Sequence, residues 1–188
     1  FLSSFLTNWC FLMDIIILSF LILLNGLFSM SEIALVSARK GRLEHLAEKG
    51  DKKAKLAFEM SSHPELFLSA VQIGITLISI VTGVYSGERF SKDLQPLVEK
   101  FETLRPYAKG ISTTFIIIIV TFLSIIFGEL IPKRIGLLRS EKIAKAVAGP
   151  MKFFARLFHP FVWLLNKTSN IFFRVFNIKR IKDDAVTE

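Results

Sequence analysis

Three blocks of apolar residues, separated by stretches dense in charge, organise the chain. They run over about residues 11–38, 65–84 and 111–138. Each approaches or exceeds the roughly 20 residues a helix needs to cross a hydrocarbon layer about 30 Å thick. The pattern predicts three transmembrane helices. The first lacks the basic leader and small-residue cleavage site of a signal peptide, so it reads as a retained span. Between the first two spans, residues 39–63 form a polar connector, read as two short helices broken at Gly50-Asp51. From 142 to 180 the pattern changes again. Phe153, Phe154, Phe158, Phe161, Trp163, Phe172, Phe173 and Phe176 are set among Lys145, Lys152, Arg156, His159, Lys167 and Arg174. Positions 145, 152, 156 and 159 share one helical face, and 167 and 174 repeat at seven after an interruption at Pro160. A basic face opposite an aromatic one suits a helix lying in the membrane interface. The alternative, a fourth span, would place Lys152, Arg156 and His159 in hydrocarbon.

Composition sharpens this reading. Of 188 residues, 52% are hydrophobic, and the mean hydropathy is +0.50. Disorder is excluded, and an ordinary soluble enzyme does not concentrate its apolar residues in such long blocks. The net charge is +8, from 24 Lys and Arg against 16 Asp and Glu. In a soluble protein that excess would suggest nucleic acid. Here it flanks the spans, so no nucleic-acid partner is expected and the lipid bilayer is the partner instead. Residues 1–38 carry no Lys or Arg, 39–63 carry seven, 85–109 five and 133–188 twelve. The positive-inside rule then puts the connector and the C-terminal segment in the cytoplasm, with the N-terminus and the 85–109 loop outside. Cys10 is the single cysteine, which excludes an intrachain disulfide. The expected fold is an all-α membrane protein with a three-span core over 1–140. A cytoplasmic-side juxtamembrane amphipathic helix follows over 141–180, and 181–188 begins a linker.

Candidate chemistry lies in the polar residues inside the spans, where each is a functional hypothesis because its burial is unfavourable. In span one, Asn25, Ser29 and Glu32 fall at i, i+4 and i+7 on one face, with Ser31 beside them. In span two, Ser69, Gln72, Thr76, Ser79 and Gly83 make a polar or small stripe, which equally suits helix packing. Span three carries Gly128-Glu129-Leu130-Ile131-Pro132-Lys133. A helical Pro132 deprives the Gly128 carbonyl of its donor, so a helix break there would leave that carbonyl beside the Glu129 carboxylate. The competing reading is a proline kink with Glu129 paired to Lys133. These groups are all oxygen ligands, suited to Mg²⁺ or Na⁺ and not to zinc or copper. His45, His63 and His159 lie away from them, and no catalytic Ser-His pair or His-Glu-x-x-His motif occurs. Enzymatic activity is not expected.

The segments 25–32 (NGLFSMSE), 72–76 (QIGIT) and 127–133 (FGELIPK) resemble the transmembrane domain of the CNNM/CorC family, also called HlyC/CorC or haemolysin-like proteins. The resemblance covers about residues 11–178. It implies a homodimer in the bacterial plasma membrane that exports Mg²⁺, and possibly Co²⁺, in exchange for Na⁺. It also implies cytoplasmic CBS domains, absent from this chain, that bind ATP. Carried over by position, Asn25 (where the family often has Ser), Ser29, Gly128 and Glu129 would ligate the ion. The polar residues Ser31, Glu32, Gln72, Thr76 and Ser79 are expected as additional candidate ion or substrate positions. One departure stands out. Family members with a defined magnesium site have Gly-Asn and a further Asn where this chain has Gly74-Ile75 and Ser79. The Gln-Ile-Gly-Ile-Thr version resembles a bacterial branch that exports cadaverine and putrescine. Divalent-cation export is therefore the leading expectation, with diamine export and a non-transporting anchor for CBS domains as the alternatives.

Overall fold

The computed structural model describes residues 2–62 and 64–175, and every regular element among them is helical. Three helical stretches are long and apolar enough to cross a membrane, at Trp9–Ser37, Phe67–Val98 and Arg105–Leu138. The first lies within α1 (Leu2–Ser37) and the second within α4 (Pro64–Val98). The third begins at a short 3₁₀ turn and runs through α5 (Ala108–Ile125), a π-helical turn (Ile126–Leu130) and α6 (Ile131–Leu138). The chain is an all-α membrane protein, as its hydropathy pattern predicts. Large side chains of α5 such as Phe115, Ile118 and Phe122 stand exposed on the bundle surface, the arrangement a lipid-facing helix requires.

One boundary moves. The expected loop after residue 84 is instead helix as far as Val98, because Ser86 and Ser91 pack inward and Tyr85 and Arg89 engage α1. The run of charged residues disguised a helix that keeps one face against its neighbours.

The connector forms α2 (Lys40–Glu48) and α3 (Lys52–Ser62), broken at the expected place. Gly50 adopts φ +92°, which L side chains rarely accept, and Asp51 then caps α3. Asp51 Oδ1 accepts from the N–H groups of Lys53 and Ala54, each at 3.0 Å. Its Oδ2 accepts from Lys145 Nζ at 2.9 Å. The Lys145 hydrogen bond, then the Ala54 N–H, hold this carboxyl below the ordinary aspartate range. Its contribution is thus complete above the ordinary aspartate pKa and is lost as pH falls through the lower folded value. In detergent, Asp51→Ala should lower the melting temperature at neutral pH. That difference should shrink toward zero as the buffer is taken well below pH ~4.

The helix α7 (Ser140–Val175) closes the connector end of the bundle. Ala144, Val147, Ala148 and Met151, at spacings of 3, 1 and 3, are buried with Phe28, Leu35, Leu43, Ala57, Phe67 and Val71. This core sits at one end of the bundle. Phe28 and Phe154 add an edge-to-face pair with centroids 4.9 Å apart. One expectation is corrected here. Pro160 does not interrupt the helix, nor does Pro150; α7 runs through both, since an isolated proline removes one backbone bond and bends a well-packed helix without ending it. The basic face is also partly engaged by protein. Lys145 pairs with Asp51 and Lys152 with Glu59, both on the connector, because the adjoining small residues seat α7 directly against α3. Phe176, the end of the 141–180 helix and the 181–188 linker lie outside the described residues.

Candidate functional site

Pro132 shapes the third span. It sits in the first turn of α6 without an N–H, so Gly128 loses its usual backbone donor. The helix widens instead of breaking: at the π turn the Ile131 N–H donates to the Ile126 carbonyl. The expected break at Pro132 is therefore replaced by a continuous span carrying one π turn. A single lost bond is tolerated where the adjoining turn absorbs an extra residue and a neighbouring helix supplies a donor. That donor is Asn25, whose Nδ2 lies 3.3 Å from the Gly128 oxygen in a buried contact. The carbonyl expected to be free is engaged by the residue expected to be its co-ligand.

Such closeness depends on glycine. A Cβ on Gly128 would fall 3.1 Å from Asn25 Nδ2, and one on Gly26 would fall 2.9 Å from Pro132 Cγ. One on Gly136 would lie 2.7 Å from the Met30 carbonyl oxygen. α1 thus crosses the third span almost backbone to backbone, as small residues permit in membranes.

Asn25 uses only part of its amide. Its Oδ1, like Ser29 Oγ, is buried and has no hydrogen-bond partner among the described residues. An unmet acceptor in such surroundings is unfavourable by ~1–3 kcal/mol, so it marks a place where a donor or cation would be welcome. Asn25 also lines a cavity of about 100 Å³ between α1, α4 and α5. Ser79, Thr82, Thr121, Ser124 and Glu129 share that lining. Glu129 supplies its carboxylate: Oε1 accepts from Lys133 Nζ at 2.6 Å, and the same ammonium lies 3.9 Å from Glu32 Oε2. Among the described residues no group of three His, Cys, Asp or Glu converges. The chamber offers hydroxyl oxygens and one carboxylate, with the buried Asn25 amide in its wall, acceptors for a hydrated metal ion or for the N–H groups of an ammonium.

The structure thus brings Asn25, Gly128, Glu129 and Ser79 together. Ser29 stands one turn along α1, fully enclosed and outside the lining. Ser31 donates to its own helix at the Leu27 carbonyl, 2.6 Å away. Glu32 joins the group only through Lys133. Gln72 and Thr76 do not join it. They line a separate cleft of about 400 Å³ against Val162, Leu165 and Asn166 of α7, and Thr76 Oγ1 donates to the Gln72 carbonyl at 2.9 Å. The stripe on α4 divides because its lower half faces α7 and its upper half faces α5.

Sequence reasoning missed Thr82, Thr121 and Ser124. The last two were legible as hydroxyls interrupting the apolar run 115–127, on the helix that carries Glu129. It also missed Asp14, which is 9% exposed. Tyr85 Oη donates to its Oδ1 at 2.7 Å, and Arg89 Nε donates to its Oδ2. Asp14 lies outside the chamber lining and ties α1 to the unexpected extension of α4.

Residues 16–188 match the family described as the cyclin M transmembrane N-terminal domain, CNNM. The UPF0053 protein sll0260 of Synechocystis is 46% identical over 168 residues, 89% of this chain and 38% of that protein. The UPF0053 protein YhdT of Bacillus subtilis is 34% identical over 166 residues, 88% of this chain and 36% of that protein. The polyamine export protein of Haemophilus influenzae is 34% identical over 168 residues, again 89% of this chain and 38% of that protein. The chain thus spans less than two fifths of the length of these three relatives. With the family match running through all three spans and α7, the chain belongs to the CNNM family and carries its transmembrane domain.

Proposed function

We propose that this domain is the membrane-crossing unit of a cation exporter and that its cargo is a small polyamine. The observation that carries the reading is the chamber at Asn25 and Glu129: acceptor oxygens around a single carboxylate, with the buried Asn25 Oδ1 unmatched among the described residues. Such a lining favours a cationic guest with N–H groups or a hydration shell to share. Two supports favour an alkylammonium. Relatives from Haemophilus influenzae, Salmonella typhimurium and Escherichia coli are named polyamine export proteins. Glu129 already accepts a hydrogen bond from an alkylammonium, that of Lys133.

Mg²⁺, with Na⁺ as the coupling ion, is the second reading. One carboxylate with several neutral oxygens is how Mg²⁺, which keeps much of its water, is commonly held. Of the four residues the family resemblance implies as ligands, Asn25 and Glu129 line the chamber and would be the ion's nearest protein groups. The Gly128 carbonyl would have to be released by Asn25, and Ser29 lies outside the lining. In either case the clustering of Lys and Arg supports an orientation with the connector and α7 on the cytoplasmic side of a bacterial plasma membrane. A homodimer with ATP-binding CBS domains completes the proposed assembly.

The test is flux through the full-length protein in proteoliposomes, with cadaverine, putrescine, Mg²⁺ and Na⁺ gradients compared side by side. Cadaverine or putrescine efflux above that of empty liposomes is the expected result. Mg²⁺ flux without diamine flux would transfer the assignment to the second reading. No flux of any of them would leave only the anchor for CBS domains.

A further inference from the structure

We propose that Lys133 is a tethered competitor of the cargo, an internal ammonium that shuttles between Glu129 and Glu32. The inference rests on the transport reading above and adds a residue to it. Lys133 extends from the first turn of α6, and its Nζ lies 2.6 Å from Glu129 Oε1 and 3.9 Å from Glu32 Oε2. One carboxylate belongs to the third span and the other to α1, so a single ammonium bridges the two elements that meet at the chamber. It is bonded at the first and near, but not bonded, at the second. None of the three is enclosed: the side chains of Glu129 and Lys133 are 43% and 33% exposed, and that of Glu32 is 21% exposed. A lysine stem can therefore swing without opening the core. Pro132, seated against Gly26, and Gly136, seated against Met30, hold the backbone on either side of Lys133, so the side chain is what moves.

The consequence is an exchange of like for like. When cargo enters the chamber, Glu129 can accept its charge only by releasing Lys133, and Glu32 offers the displaced ammonium a second seat. Each carboxylate then keeps an ammonium partner within reach. When Lys133 returns, it expels the cargo from Glu129. The same lysine therefore weakens binding and speeds release, which suits an exporter better than tight capture.

Opposite signs from two substitutions test this. Lys133→Met removes the competitor, so the half-saturating cadaverine concentration should fall about tenfold, the value of roughly one charge-assisted hydrogen bond, while the maximal rate also falls. Glu32→Gln removes the alternative seat and fixes Lys133 on Glu129, so half-saturation should rise. Both are measured in the full-length protein, with Mg²⁺ run in parallel and melting temperatures recorded. Should Lys133→Met misfold, the Glu32→Gln arm decides alone. Unchanged or raised half-saturation in folded Lys133→Met, or unchanged or lowered half-saturation in Glu32→Gln, overturns the proposal while leaving transport standing. Absence of flux in the wild-type protein overturns the transport reading itself.

Discussion

In proteoliposomes, Glu129→Gln should lower cation flux by one to two orders of magnitude while the protein stays folded. The substitution keeps the shape and removes the charge. Glu129 is the one carboxylate lining the chamber at Asn25, among Ser79, Thr82, Thr121 and Ser124. Neutral oxygens can share a cation's hydration but cannot balance its charge, so removing the carboxylate leaves the guest's charge unpaired. A hydrogen bond to a charged group is worth ~1.5–3 kcal/mol, which sets the expected loss of flux. Folding should tolerate the change, because Glu129 is half exposed and Lys133 retains Glu32 nearby. Flux at the wild-type level, for cadaverine and for Mg²⁺, would remove Glu129 from the transport path.

The second large effect falls on stability. Gly136→Ala should destabilise the domain by ~1–3 kcal/mol, the usual range for overpacking a close contact. Its added Cβ would stand 2.7 Å from the Met30 carbonyl oxygen, a backbone atom that cannot swing away. Relief requires α1 and α6 to part, and the Asn25–Gly128 contact lies on the same crossing. Gly110→Ala provides the control. No atom lies within 4 Å of a Cβ there, and alanine is a better helix former than glycine by ~1 kcal/mol. Its melting temperature should match or exceed wild type. Equal melting temperatures for Gly136→Ala and wild type would show that the crossing is looser than these distances imply.

Much of this architecture was legible before any coordinates. Blocks of apolar residues long enough to span a bilayer leave few alternatives, because every backbone polar group in hydrocarbon must be satisfied within a helix or a closed barrel. The connector break was equally local: Gly50 supplies a positive φ and Asp51 a cap, and both are properties of single residues. Asn25, Glu129 and the Gly128 carbonyl were legible as polar groups in apolar surroundings, and the structure sets Asn25 and Glu129 in one chamber lining, with Gly128 bonded to Asn25.

Contacts across the fold decided the rest. The run from Glu88 to Asp93 reads as a loop, yet it is helical because Arg89 meets Asp14, a partner 75 positions away. The stripe on α4 reads as one face, but its lower half meets α7 and its upper half meets the chamber. Lys145 and Lys152 read as part of a basic face in the membrane interface, and only the fold shows that each also pairs with a connector carboxylate, Asp51 and Glu59. Pro132 predicts that the Gly128 carbonyl lacks its usual helical donor, and it does; that Asn25 supplies one depends on how α1 crosses the third span. Periodicity and hydropathy are local and follow from the chain itself. Which helix faces which is set by long-range packing, where small residues at Gly26, Gly128 and Gly136 let backbones meet and thereby choose the partner of each polar group.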